Sequence, residues 1–322
     1  MEDKSLVKIE NLSKNFVSQK SFFGKPLSYV HAVDSVSLDI HRGETLGIVG
    51  ESGCGKSTLG RTILRLTDPS SGKVLFDGVD LVTLSKEEMR QMRQKMQLVF
   101  QDPYASLNPR MTVKDLIKAP LDVFDIGTEE EKMQKVFDIM KKVGLSEEQL
   151  NRYPHEFSGG QRQRIVIARA IILNPEFVVC DEPVSALDVS VRAQVLNLLK
   201  QLQKERNLTY MFISHDLSVV KYICDRIAVM YLGRVVELAS KDDLYDAPRH
   251  PYTKALLSAV PIAEVGNKRE VTVLEGDVPS PINPPAGCYF CTRCPYADDY
   301  CKTVKPELRD LGNGHMCACH KV

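Results

Sequence analysis

Gly50-Glu51-Ser52-Gly53-Cys54-Gly55-Lys56-Ser57-Thr58 fits the pattern G-x-x-x-x-G-K-[ST] in full, and no other stretch constrains the fold as much. The pattern carries meaning only between a strand and a helix. Thr45–Val49 is a short apolar run suited to a buried parallel strand, and a helix is predicted from near Lys56. Glycines let the backbone curl until successive N–H groups point at phosphate oxygens. The helix N-terminus adds partial positive charge. Lys56 is expected to reach the β- and γ-phosphates, and Ser57 to offer its hydroxyl to Mg²⁺. The alternative is a glycine-rich turn with no ligand; the complete match in this context speaks against it.

A second half of such a site is legible further on. Phe177-Val178-Val179-Cys180-Asp181-Glu182 is an apolar strand ending in two carboxylates. At a strand end Asp181 can hold Mg²⁺ through water, and Glu182 then stands within reach of an attacking water. A solvent-facing acidic pair is the other reading, and the phosphate loop weakens it.

The rest of the chain alternates between short apolar strands and helical spacing. Strands are predicted at 6–16, 32–40, 177–180, 210–214 and 227–232, with a turn-rich excursion at 17–31. Helical spacing covers 86–97, 129–143, 158–172 and 191–205. This alternation predicts an α/β domain with a largely parallel core sheet. The 322 residues leave room for about two domains. Lys plus Arg and Asp plus Glu both number 42, a balance that argues against binding nucleic acid by bulk charge. No run of about 18 apolar residues suggests a membrane span. MEDKSLVKIE lacks the apolar core of a signal peptide, so a cytoplasmic location is expected.

Two further motifs decide the class. Phe157-Ser158-Gly159-Gly160-Gln161-Arg162-Gln163-Arg164 stands before Asp181, and Ser214-His215-Asp216 follows the next apolar strand. With Val99-Phe100-Gln101 and Ser185-Ala186-Leu187-Asp188, the motifs occur in one order. In them the chain resembles the ABC-transporter ATPase family, from about residue 6 to residue 260. Phe157, where many members have Leu, is the one small departure. The resemblance implies an α/β P-loop NTPase of ABC type. It would carry an antiparallel edge sheet, a helical subdomain at about 90–165 and a small Cys-rich, metal-binding C-terminal extension. The ATPase domain would span 5–260 and the extension 261–322.

The resemblance also implies roles. Two ATPase subunits would face each other head to tail. ATP would lie between the loop of one subunit (Gly50, Ser52, Gly53, Cys54, Gly55, Lys56, Ser57 and Thr58) and Ser158, Gly159, Gly160 and Gln161 of the other. Phe16 matches the residue that stacks on adenine. Gln101 matches the Mg²⁺- and water-sensing position, Glu182 the general base, and His215 the γ-phosphate contact.

Gln101-Asp102-Pro103-Tyr104-Ala105-Ser106-Leu107-Asn108-Pro109-Arg110, Glu182–Ser190 and Arg249-His250-Pro251-Tyr252-Thr253 narrow the resemblance to the dipeptide/oligopeptide/nickel importers. The excursion at 17–31 and Pro183-Val184-Ser185 look like the second of two different ATPase subunits. The implied partners are a related ATPase, two membrane permeases docked near Gln101–Asn108, and indirectly an extracytoplasmic solute-binding protein, with no nucleic acid. The implied place is the cytoplasmic face of the membrane. The transported solute would be a di- or oligopeptide, with nickel or another small solute as alternative. Soluble ABC proteins that act on nucleic acid or as regulators are the rivals from other classes.

Six of the nine cysteines, Cys288, Cys291, Cys294, Cys301, Cys317 and Cys319, lie in the last 35 residues. In a reducing compartment such clustering reads as metal or redox ligands before disulfides. Cys288, Cys294, Cys301 and Cys319 match the importer extension, which implies a 4Fe–4S cluster on those four thiolates. Cys₄ zinc is the alternative, and free thiols the plain one. Cys291 and Cys317 are extra to the pattern, and the spacing Cys288-x-x-Cys291-x-x-Cys294 leaves another choice of ligands open. All the nucleotide motifs precede residue 217, so nucleotide binding is expected not to depend on the tail.

Overall fold

A computed structural model of the chain describes residues 5–21, 23–259 and 274–322. It divides into two compact units, residues 1–83 with 214–322, and residues 84–213.

The first unit holds an antiparallel sheet in the order Pro26–His41, Ser5–Lys20, Ser71–Phe76, Val79–Asp80. Leu6, Val7, Ile9 and Leu12 of Ser5–Lys20 are all buried in its core. The excursion expected at 17–31 is instead the end of one long hairpin, with Phe16 opposite Val30, Val17 opposite Tyr29 and Lys20 opposite Pro26. Where the two strands join, Gly24 N–H donates to Ser21 O at 2.8 Å. Residues 16–20 are exposed, so no buried face marked them as strand in the sequence.

Within the same unit, Thr45–Val49 runs parallel to Arg226–Tyr231, pairing Leu46 with Arg226 and Val49 with Val229. Arg226–Tyr231 turns back antiparallel into Arg234–Ser240. Met316–Cys317 then pairs with Leu238 and Glu237, and Arg309–Asp310 lies outside it. All five residues of Thr45–Val49 are buried, as the uninterrupted apolar run requires. Helix Lys56–Ile63 follows this strand directly after the glycine loop.

The second unit has a parallel sheet of Met96–Val99, Phe177–Asp181 and Thr209–Ile213. Helix Lys86–Lys95 is capped at Ser85 with a reciprocal Glu88 contact, and Glu129–Lys142 at Thr128 with Glu131. The predicted helix at 86–97 stops at Lys95, because Met96 begins a strand beside Phe177. Helix Val113–Val123 had no signal in the sequence reading. Pro120 lies within it, and Val113, Leu116, Ile117 and Leu121 bury its apolar side.

Candidate active site

The phosphate loop belongs to the first unit. Gly50 has φ +150° and Gly55 φ +103°, conformations that favour glycine. Space enforces the same choice: a Cβ on Gly50 would lie 2.2 Å from Met230 O, and one on Gly55 2.0 Å from Ala32 O. Gly55 is the N-cap of helix Lys56–Ile63 and supplies no side-chain acceptor, so the helix opens with N–H groups turned to the loop. The Lys56 ammonium crosses the loop and donates to Gly50 O at 2.8 Å and Glu51 O at 2.9 Å. Ser52 and Gly53 stand exposed at the rim, while Cys54 is buried beneath them; Ser57 and Thr58 are half-buried on the first helical turn. Burial pushes the Cys54 thiol up, so it packs here as a small apolar group.

His215 is exposed in the turn leading to helix Leu217–Ile223. Asp216 fixes that turn: its N–H donates to Ser214 Oγ at 3.0 Å, and its carboxylate accepts from the N–H groups of Ser218 and Val219. Phe16 is 42% exposed, with the Lys14 ammonium 5.0 Å from its ring centre.

In the second unit Asp181 closes strand Phe177–Asp181 and is buried. Glu182 follows with φ +46°, a left-handed conformation unusual for a non-glycine residue and costing roughly 1–3 kcal/mol. Neighbours hold it there: its N–H donates to Ile213 O at 3.0 Å, and its carbonyl accepts from Ser185 Oγ at 3.0 Å. The Glu182 carboxylate accepts from Gln101 Nε2 at 2.9 Å, so the structure brings together two site residues 81 positions apart.

Ser158 caps helix Gly159–Ile171; its Oγ accepts from Gln161 N–H and Gln161 Oε1 accepts from Ser158 N–H. Ser158 and Gly159 are exposed, leaving an open helix start. A Cβ on Gly160 would lie 2.1 Å from Val191 Cγ1, so that glycine permits close packing on helix Val189–Arg206. Asp188 caps that helix, accepting from Val191 N–H at 2.9 Å.

Cys288, Cys291, Cys294, Cys301 and Cys319 line one small pocket with His250, Phe290 and His320. Cys317 does not join them; it is buried on the strand beside Glu237. Cys291, left out of the ligand set in the sequence reading, does join. Cys288 N–H donates to Cys301 O at 2.7 Å, which ties two parts of the pocket wall. Burial pushes the Cys288 thiol up to about 11. Among the described residues, however, no group of three or more His, Cys, Asp or Glu side chains is arranged to hold a metal ion. The metal-binding extension expected from the sequence is not confirmed by this arrangement.

Nearby, the Glu237 carboxylate is fully buried. It accepts from Arg249 N–H at 2.7 Å and His250 N–H at 2.9 Å, and pairs with His315 Nε2 at 2.6 Å. Sequence reasoning missed this group, and it missed Glu51, Tyr252 and Arg293 as neighbours of the phosphate loop.

A strand–glycine loop–helix of this geometry defines a P-loop nucleotide-binding cassette. A profile of the ABC transporter family matches residues 33–185, and one of the oligopeptide/dipeptide transporter C-terminal region matches residues 236–301. The chain is 53% identical over 319 residues to the oligopeptide transport ATP-binding protein AppF of Bacillus subtilis (strain 168), covering 98% of this chain and 97% of that one. It therefore belongs to the ABC transporter family. Among solved structures, the dimeric post-hydrolysis state of the ATP-binding cassette MJ0796 bound to ADP and Pi is similar, with a TM-score of 0.65 and 31% identity over 73% of this chain and 98% of that one. CbiO1 from Clostridium perfringens, part of the ABC transporter complex CbiONQ, has a TM-score of 0.66 and 29% identity over 76% of this chain and 92% of that one.

Proposed function

We propose that this chain is the ATP-hydrolysing subunit that powers import of di- or oligopeptides through a membrane ABC transporter. The match of residues 236–301 to the oligopeptide/dipeptide transporter C-terminal region carries this reading. AppF, named for oligopeptide transport, supports it over nearly the whole length.

In this reading the loop residues Gly50 and Ser52–Thr58, with Lys56 at their centre, take the phosphates, and Phe16 stacks on adenine. Mg²⁺ would be held by the Ser57 hydroxyl, the Gln101 amide oxygen and the Asp181 carboxylate, oxygen donors of the hard kind that it takes. Mg²⁺ supplies charge neutralisation on the phosphates when bound. Glu182 polarises the attacking water, with Gln101 fixing its carboxylate, and His215 contacts the γ-phosphate. Ser158, Gly159, Gly160 and Gln161 serve the nucleotide of a second, related ATPase subunit, their exposed helix start giving it an anion site. Two permeases dock beside Gln101–Asn108, where Tyr104 is 63% exposed. The chain works at the cytoplasmic face; no helix among the described residues is long and apolar enough to cross a membrane.

The test is a reconstituted transporter in vesicles. Labelled peptide should enter only with ATP, and Ser158→Arg should abolish uptake while the isolated subunit keeps its nucleotide affinity. Uptake of nickel and not peptide would overturn the substrate. Loss of affinity in the isolated Ser158→Arg subunit would overturn the two-subunit arrangement.

The pocket shared by the tail thiols supports a second proposal, a 4Fe–4S cluster on Cys288, Cys294, Cys301 and Cys319. All four donors are soft thiols, which suit iron–sulfur chemistry. The cluster would clip together a segment with little core of its own. Anaerobically purified protein should contain about four iron and four sulfide per chain. Cys301→Ser should lose them and Cys317→Ser keep them. One zinc without sulfide, or no metal at all, contradicts the assignment.

A further inference from the structure

We propose that Arg293, in the C-terminal extension, is a positioning residue for the phosphate loop and acts through Glu51. Glu51 is the second residue of the loop, and every polar group it has is engaged. Its carbonyl accepts from Lys56 Nζ at 2.9 Å and Cys54 N–H at 3.3 Å. Its N–H donates to Tyr252 Oη at 2.9 Å. Its carboxylate receives both terminal nitrogens of Arg293, at 2.8 and 3.1 Å. Two of these anchors come from beyond residue 250, while the motif that binds phosphate ends at Thr58.

The two outer anchors belong to one packed block. Phe290 is buried and meets the Tyr231 ring edge-on at 5.3 Å and the Tyr252 ring at 5.4 Å. Tyr231 and Tyr252 lie 4.7 Å apart. Arg293 N–H donates to Phe290 O at 3.0 Å, which fixes where the guanidinium starts. The Arg293 side chain is only 8% exposed, so its pair with Glu51 is not an ordinary surface ion pair. A guanidinium meeting a carboxylate with two parallel hydrogen bonds sets orientation as well as distance.

The loop needs such a hold. Glycines at 50, 53 and 55 give it the curl that phosphate requires and leave it little stiffness of its own. Charge adds a second reason. The Glu51 carboxylate belongs to a loop that must accept a polyanion, and the guanidinium of Arg293 offsets its charge. Order in the sequence sets the tail apart from the loop; the fold joins them, and the extension sets how firmly the chain holds nucleotide.

This inference rests on the phosphate-site reading, which Lys56→Ala tests separately. Mg-ATP binding is measured on the full chain by fluorescent-nucleotide titration, and KM and kcat on the assembled transporter. Arg293→Ala should weaken ATP binding about tenfold, through KM more than kcat. Arg293→Lys, which keeps the charge and loses the fork, should fall in between. Glu51→Gln added to Arg293→Ala removes the unpaired charge and should restore part of the affinity, a recovery that simple loss of structure does not give. Wild-type affinity in Arg293→Ala with binding lost in Lys56→Ala overturns the clamp alone, and so does a double variant weaker than Arg293→Ala. Wild-type affinity in both Lys56→Ala and Arg293→Ala removes the phosphate site and the clamp with it.

Discussion

Glu182→Gln should leave ATP binding intact and slow ATP turnover by the assembled transporter about 10²–10⁴-fold, the usual effect of losing a general base. The substitution keeps the shape of the side chain, and an amide oxygen can still accept from Gln101 Nε2, now 2.9 Å from the carboxylate. What it removes is the ability to take a proton from water. The left-handed backbone at Glu182 is held by Ile213 and Ser185 and does not depend on the side chain's charge. Turnover and nucleotide affinity measured on the same preparation decide the matter. A turnover rate within about twofold of wild type takes Glu182 out of that role.

Gly55→Ala should abolish nucleotide binding and lower stability by about 3 kcal/mol. Its φ of +103° is strained for any L side chain, and the new Cβ would meet Ala32 O at 2.0 Å. That oxygen is backbone, so the loop itself must shift, and the first N–H groups of helix Lys56–Ile63 move with it. Gly53→Ala is the control. Gly53 has φ +79° but no atom within 4 Å of a Cβ, so the cost there should be about 1 kcal/mol with binding retained. Thermal unfolding and nucleotide titration of both variants test the contrast. Equal behaviour of the two would show that the close approach to Ala32 has no bearing on the loop.

Features confined to a few consecutive residues were legible in the sequence. The loop from Gly50 to Thr58 and the pair Asp181–Glu182 each combine an apolar strand with its functional end, so local pattern sufficed. Gln101 was different. Nothing near it in the chain points to Glu182, and only its likeness to a family motif singled it out. The far half of the first hairpin was lost because residues 16–20 are exposed and show no alternation of burial. Helix Val113–Val123 was hidden by Pro120, which argues against helix in any local reading. The pair Glu51–Arg293 spans 242 positions, and neither residue type is rare enough to draw notice alone. Cys291 is a different case: its spacing from Cys288 and Cys294 was visible, but that it lines the same pocket as the four pattern cysteines emerges only from the fold.

The pairing of Met316–Cys317 with Arg234–Ser240 bears on how this chain can be cut and handled. A cassette ended at residue 259 would leave the outer side of Arg234–Ser240 with open N–H and C=O groups, a template for another chain's strand. It would also strip His315 from the fully buried Glu237 carboxylate, leaving that charge two backbone N–H donors. In the whole chain the open side falls to Arg309–Asp310, two residues long, both exposed and both charged. Short charged strands are how natural sheets discourage edge-to-edge association. Residues 309–322 thus guard this edge of the sheet, and expression vectors that trim the chain to the nucleotide-binding motifs would trade a tidy boundary for a sticky edge.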